Sequence, residues 1–198
     1  MSRSSSGAVP RDQYAWMYLS NVVVLMAGLL VYHLAGRNFG TDGFAEYALA
    51  RRATNLLAPA LMLGIGIALP RQLAVLLDPE TKRAGRIFFV SYVLVSSACI
   101  VMTSIGIAFP GLFAELFLGD SSLASLAVPL MLFLSGLSWH STLWAYFRGS
   151  FRFRAASLLD ICNLAVVPII GFAVAGDSVG RLLTFVGVAT AAVSLTVA

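Results

Sequence analysis

Long apolar stretches with few charges alternate with short, more highly charged segments along nearly the whole chain. The apolar stretches cover about residues 13–35, 44–70, 86–108, 122–147, 155–175 and 181–198. A bilayer core about 30 Å thick is crossed by a helix of about 20 apolar residues, since backbone groups in lipid must be hydrogen-bonded internally. The pattern therefore predicts an all-α integral membrane protein with six transmembrane helices.

Three features lie at the ends of these stretches or between them. Residues 1–12 are polar and rich in serine, which predicts a disordered arm. The segment 110–120 is apolar with two acidic residues, and it predicts a short helix lying in the membrane interface. The last stretch ends at Ala198 without the charged or aromatic residues that usually flank a span, so we expect the chain to be truncated at its C-terminus.

The composition excludes several classes of protein. Hydrophobic residues make up 59% of the chain and charged residues 11%, whereas a soluble domain has about 25% charged residues. A soluble enzyme and a disordered chain are therefore excluded. The two cysteines lie in apolar stretches, which excludes a disulfide framework. There is no close Cys/His spacing, phosphate-binding loop or nucleophile motif, so we expect no metal, no cofactor and no enzymatic activity.

The 13 basic residues indicate how the chain is oriented in the membrane. Nine of them precede span one or lie between spans two and three or four and five, and two, Arg37 and Arg181, lie in the other loops. Loops rich in Lys and Arg stay in the cytoplasm. The pattern therefore predicts a cytoplasmic N-terminus, and because topology accounts for most of the positive charge, no nucleic-acid partner is expected. The remaining two basic residues are Arg51 and Arg52.

Three short motifs occur at defined places relative to the predicted spans. They are the segment 38–47 entering span two, then Leu63, Gly64, Ala68, Leu69 and Arg71 leaving it, then Arg148, Gly149, Arg152 and Phe153 between spans four and five. In this order they resemble the bacterial polysaccharide flippases of the Wzx type, within the multidrug/oligosaccharidyl-lipid/polysaccharide exporter superfamily. The first motif departs from the family pattern, with Phe39 in place of leucine and Ala45 where a glycine often stands.

The resemblance covers residues 14–198 and implies the N-terminal six-helix lobe of a two-lobe fold. It implies a bacterial plasma (inner) membrane protein that moves a lipid-linked oligosaccharide, typically on undecaprenyl pyrophosphate, to the outer leaflet for O-antigen, capsule or exopolysaccharide. The implied partners are membrane lipid, this glycan, and a second lobe or polysaccharide-assembly proteins. Two alternatives remain open: a lobe of an ion-coupled multidrug-type exporter, and a membrane scaffold fragment that does not transport.

Arg51 and Arg52 are the first candidate site residues. An arginine inside a span is costly unless it faces water or a partner, and its planar fork suits phosphate. Asn55 lies within one helical turn of both and can share a face with either. Adjacent positions point about 100° apart, so we expect one arginine, with Arg52 preferred, to line a cavity that binds the cargo. The alternative is that both reach the outer interface.

The other candidates lie in spans four and five. Asp160 and Asn163 are three residues apart and share a helix face, where they could line the cavity, pair with an arginine of span two or take up a proton. His140 lies in the middle of span four and could titrate near neutral pH to couple transport to protons. The alternatives are an interfacial Asp160 and a His140 hydrogen-bonded to the neighbouring Ser and Thr residues.

Overall fold

The computed structural model describes residues 11–76 and 82–197, and within these ranges it is helical with short connections and no strand. The helices are α1 (Arg11–Met62), α2 (Ile65–Ala74), α3 (Lys82–Ala108), α4 (Pro110–Leu118), α5 (Ala127–Gly149), α6 (Phe153–Asp160), α7 (Val167–Ala175) and α8 (Val179–Val197), with a 3-10 turn at Ser121–Leu126 and a π-helical segment at Ile161–Val166. The predicted arm at 1–12 lies largely outside the described residues.

Helix α1 folds back on itself at Gly40. This residue has φ 66° and ψ −166°, a backbone conformation that is essentially restricted to glycine. The rings of Tyr32 and Tyr47 lie 5.8 Å apart between centroids, although a continuous helix would separate the two residues by about 22 Å. The two limbs of α1, 11–39 and 41–62, therefore pack against each other as a helical hairpin.

The predicted second span, 44–70, is not one continuous helix. Helix α1 ends at Met62 and α2 begins at Ile65, because Leu63 (φ 49°) and Gly64 (φ 75°) both adopt left-handed backbone conformations. Pro70 of α2 then lies against α5, where a Cβ added to Gly149 would come within 2.8 Å of the Pro70 Cα. The missing side chain of Gly149 allows this close approach.

Helix α5 is the centre of the bundle, and α8 is its closest neighbour. A Cβ built on Gly136 of α5 would collide with the carbonyl oxygen of Gly187 on α8. A Cβ on Gly187 would in turn lie 2.5 Å from the carbonyl carbon of Leu132. The two backbones therefore touch at this point, as small residues allow in membrane helix pairs.

Helix α4 confirms that a short helix occupies the predicted segment 110–120. One face of α4 packs into the protein core through Phe113, Ala114 and Leu118, while Leu112 and Leu116 point outward. The helix is followed by Asp120, whose side chain accepts a hydrogen bond of 2.8 Å from the Ser122 backbone N–H. This hydrogen bond lowers the pKa of the exposed Asp120 carboxyl.

The outward faces of α3 and of the first limb of α1 carry large apolar side chains. Tyr18 and Leu25 are 72% and 64% exposed, and Phe89 and Ile100 are exposed to the same degree. Extended apolar surface of this kind is rare on proteins surrounded by water and suits a lipid environment.

Within the described ranges, five helical stretches have the length and apolar composition to cross a membrane. They are Tyr14–Met62, Lys82–Ala108, Ser121–Gly149, Phe153–Ala175 and Val179–Val197. The protein is thus all-helical and compatible with multiple passes through a membrane.

Candidate functional site

His140 and Asp160 form a buried pair between α5 and α6. The imidazole Nε2 of His140 lies 3.2 Å from Oδ1 of Asp160, and the two side chains are only 5% and 14% exposed. The second carboxylate oxygen, Oδ2, accepts a hydrogen bond of 2.8 Å from the indole N–H of Trp144. Asp160 therefore pairs with His140 and Trp144, and not with an arginine of span two, which was one of the arrangements considered from the sequence.

Asn163 continues this network on the other side of the imidazole. Its Nδ2 lies 3.2 Å from Nδ1 of His140 and donates a second bond of 3.2 Å to Oγ of Ser194 on α8. Asn163 is fully buried, and its Oδ1 has no hydrogen-bond partner within the described structure. The prediction that Asp160 and Asn163 share a helix face agrees with this geometry, since both contact one histidine.

The helix is locally widened where it holds these residues. Residues Ile161–Val166 are π-helical, and the Val167 backbone N–H donates to the Cys162 carbonyl. Pro168 follows directly. A proline has no backbone N–H to donate, and in an α-helix its ring clashes with the carbonyl four residues earlier. A wider turn removes that conflict, and π-helical turns of this kind are often found at functional sites.

The hydrogen-bond roles in this network follow from the chemistry of the groups. An ionised carboxylate only accepts, so Nε2 of His140 must carry the hydrogen that points to Asp160. In a neutral imidazole the other nitrogen then accepts, which matches the N–H that Asn163 directs at Nδ1. The observed distances therefore fit a hydrogen on Nε2 and none on Nδ1 of His140.

Arg51 lies beside this network on a cavity of about 180 Å³, which is room for several water molecules. The cavity is bounded by both limbs of α1, by α5, α8 and the π-helical segment, and it is lined by Asn163, Tyr47 and Phe133 among others. The guanidinium carbon of Arg51 lies 5.9 Å from the centre of the Phe133 ring. Its Nε is buried without a hydrogen-bond partner, and no described acidic residue forms an ion pair with it.

Arg52 does not face this cavity, contrary to the preference drawn from the sequence. It is exposed and, with Asn55, lines a separate groove of about 480 Å³ against α4. The reason is the helical stripe of buried residues at Tyr47, Ala50, Thr54, Leu57 and Leu61. Arg51 lies four residues after Tyr47 and three before Thr54, so it is on the same inward face of the helix.

A larger depression of about 1030 Å³ lies where α8 begins, lined by Glu46, Asp177 and Arg181 among others. Glu46 is half-buried, and the exposed Arg181 is already paired with the exposed Asp177 at 3.1 Å. Exposed pairs of this type contribute little specific binding energy. The small cavity beside Arg51 is therefore the stronger candidate for a binding site.

Two members of the network, Trp144 and Ser194, were not found from the sequence. Trp144 lies four residues after His140 on the same face of α5, so a helical projection could have identified it. Ser194 is on α8 and carries no sequence signal that links it to Asn163. Among the described residues, no group of three or more His, Cys, Asp or Glu side chains could hold a metal ion.

Comparisons with known proteins do not assign the chain to a family. No family model, no curated protein and no solved structure gives a significant match. The fold and the buried polar network therefore define an all-helical protein, compatible with a multi-pass membrane protein, that has an unpaired arginine on an interior cavity.

Proposed function

We propose that the chain is a six-span membrane lobe whose interior cavity binds the pyrophosphate of a lipid-linked oligosaccharide during its transfer between leaflets. The observation that supports this most is Arg51, a charged side chain on an interior cavity with no acidic partner among the described residues. Arg51 is half-buried, and a cation partly removed from water is stabilised when a counter-charge meets it. The motifs that resemble polysaccharide flippases favour an undecaprenyl pyrophosphate carrier as that counter-charge.

The chemistry of arginine favours a phosphate ligand over a neutral one. Its planar guanidinium presents parallel N–H donors that match two phosphate oxygens. The nearby carboxylate of Asp160 is already satisfied by His140 and Trp144, so it does not neutralise Arg51 through a direct contact. The rest of the cavity wall is mostly apolar, and a charge pair is stronger beside apolar groups than in bulk water.

The six-span topology is part of the proposal and has its own test. The hairpin at Gly40 supplies two limbs, each long enough to cross the bilayer core, and the distribution of basic residues favours a cytoplasmic N-terminus. In a chain whose Cys99 and Cys162 are replaced by serine, cysteines introduced at Asp42 and Ser122 should react with an impermeant maleimide added outside cells. Cysteines at Lys82 and Arg154 should react only after the cells are opened. Labelling of Lys82→Cys from outside would contradict the topology.

Lipid binding tests the proposed function directly. The chain in nanodiscs should bind undecaprenyl pyrophosphate more tightly than undecaprenol, which has the same tail without charge. Arg51→Ala should weaken binding of the pyrophosphate lipid about 10–100-fold, because a hydrogen bond to a charged group is worth about 1.5–3 kcal/mol. Arg51→Lys should keep part of the affinity, since it retains the charge and loses the fork.

Arg52→Ala is the matched control, because it removes the same charge from the adjacent residue on an exposed face. Its Kd should stay within about twofold of the wild-type value. Equal weakening by Arg51→Ala and Arg52→Ala would show that only general positive charge matters. Equal affinity of the unaltered chain for the two lipids would contradict the proposal and favour a multidrug-type exporter or a scaffold.

A further inference from the structure

We propose that His140, Asp160 and Asn163 form a proton-binding site in which protonation of His140 reverses the Asn163 amide beside the Arg51 cavity. The site is built from side chains on two packed helical stretches, and each of the three is largely or fully buried. The proton site stands on this geometry alone. The coupling to the cavity described below rests on the proposed function.

In the observed arrangement, the neighbours of His140 match a hydrogen on Nε2 and none on Nδ1. Nε2 carries the hydrogen directed at Asp160, and Nδ1 receives an N–H of Asn163 at 3.2 Å. The second N–H of Asn163 is directed at Ser194, whose hydroxyl donates onward to the Thr190 carbonyl at 2.8 Å. Both amide hydrogens are used, and the amide oxygen is left without a partner.

Adding one proton to Nδ1 of His140 makes this arrangement untenable. The new N–H would point at an N–H of Asn163, so two donors would face each other across 3.2 Å. Rotating the Asn163 amide by half a turn places Oδ1 opposite the imidazolium N–H and within reach of the Ser194 hydroxyl. Oδ1 of Asn163, which had no partner, then accepts a hydrogen bond from the imidazolium N–H. The Asn163 NH₂ group moves to the place that Oδ1 occupied, where it has no partner.

Among the described residues, Asp160 is the charged group in direct contact with His140. The other charged and titratable groups on helices packed against α5 include Arg51 on α1, Arg71 on α2, Tyr92, Cys99 and three basic residues on α3, Glu115 on α4, Arg154 on α6 and Arg181 on α8, and none of these makes a described hydrogen bond or ion pair with the imidazole. Tyr92 stacks on Trp139 at 6.0 Å, away from the imidazole. Arg148, on α5 itself, lies over the Trp144 ring at 4.5 Å.

The reversed amide changes what the cavity wall offers to a ligand. Asn163 and Arg51 line the same cavity, and after reversal the Asn163 NH₂ group requires an acceptor. An anionic oxygen of a bound pyrophosphate would meet both this donor and the Arg51 guanidinium. Proton uptake and binding of the anionic headgroup therefore favour each other, and by linkage the bound headgroup must raise the fraction of protonated His140.

The test is nitrogen-15 NMR of the imidazole rings in the full chain, reconstituted in nanodiscs without cargo lipid. The chain contains two histidines, so in the His33→Gln variant all imidazole signals come from His140. The pH is varied from about 5 to 8. At the alkaline end the spectrum should show the tautomer with its hydrogen on Nε2, and at the acidic end it should show both ring nitrogens protonated. A ring that keeps one tautomer throughout, or that carries its hydrogen on Nδ1, would overturn the proposal.

Asn163→Asp tests the role of the amide. An aspartate accepts in any orientation and adds a negative charge, so the His140 transition should move to higher pH by about one unit or more. Asn55→Asp makes the same change on an exposed face and should leave the midpoint in place. An unmoved midpoint in Asn163→Asp would overturn the amide role.

Adding undecaprenyl pyrophosphate separates this proposal from the proposed function. At the midpoint pH, the lipid should raise the protonated fraction of His140 in the unaltered chain and leave it unchanged in Arg51→Ala. Lipid that binds without changing the His140 signals would refute the coupling and leave the proposed function standing. A proton transition in a chain that fails to bind the lipid would confirm the proton site and refute the proposed function.

Discussion

Asp160→Ala is expected to lower the free energy of unfolding by at least about 2 kcal/mol. The substitution removes both acceptors of the buried pair and leaves the His140 Nε2–H and the Trp144 indole N–H without partners. Each buried donor left unmet costs about 1–3 kcal/mol. Steric trapping in bicelles measures this free energy without removing the protein from a lipid environment.

Two further variants show whether the loss comes from the network. Asp160→Asn keeps one acceptor oxygen, so its free energy of unfolding should fall by about half as much as that of Asp160→Ala. Asp177→Ala removes a carboxylate that is 86% exposed and paired only with the exposed Arg181, so its effect should stay within about 0.5 kcal/mol. If Asp160→Ala were as stable as Asp177→Ala, the buried pair would not hold α5 and α6 together.

After Asp160→Ala, Gly187→Ala is the substitution that should lower the free energy of unfolding most. The new methyl group would lie 2.5 Å from the Leu132 carbonyl carbon and 2.6 Å from the Phe133 backbone nitrogen. These are backbone atoms of α5, which cannot rotate away, so α5 and α8 must separate. Overpacking of this kind costs about 1–3 kcal/mol, more than the gain of about 1 kcal/mol in helix propensity from glycine to alanine.

Gly180→Ala is the matched control on the same helix. A methyl group there would meet Leu126 and Pro129 at 3.6 Å, which is ordinary contact. We therefore expect it to be neutral or slightly stabilising, by at most about 1 kcal/mol. Steric trapping of both variants distinguishes close helix packing from a general effect of removing glycine, and equal stability of the two would contradict the α5–α8 contact.

The helices of the fold could largely be predicted, because charges mark the ends of apolar stretches. The predicted spans 86–108, 122–147 and 155–175 correspond to stretches that the structure gives as Lys82–Ala108, Ser121–Gly149 and Phe153–Ala175. The break at Leu63 could not be predicted, because leucine does not indicate a left-handed backbone. The Gly136–Gly187 contact could not be predicted either, since an apolar stretch does not indicate which helix it packs against.

The candidate site was predictable as a set of residues but not as an arrangement. Arg51, His140, Asp160 and Asn163 were all identified, because a polar residue inside an apolar stretch is costly and conspicuous. Their pairing depends on how the helices rotate and approach, which single-helix periodicity does not determine. Arg51, and not Arg52, lies on the stripe of buried residues that begins at Tyr47, and only the structure gives that rotation of the helix.

Solid-state NMR measures most directly whether Arg51 contacts the phosphate of a lipid headgroup. The chain, labelled with carbon-13 at the arginine guanidinium carbons, is combined with undecaprenyl pyrophosphate in a detergent without phosphate, so that all phosphorus belongs to the ligand. We expect dephasing of an arginine signal by phosphorus-31 that disappears in Arg51→Lys and persists in Arg52→Lys. Dephasing that is unchanged in Arg51→Lys would contradict this contact.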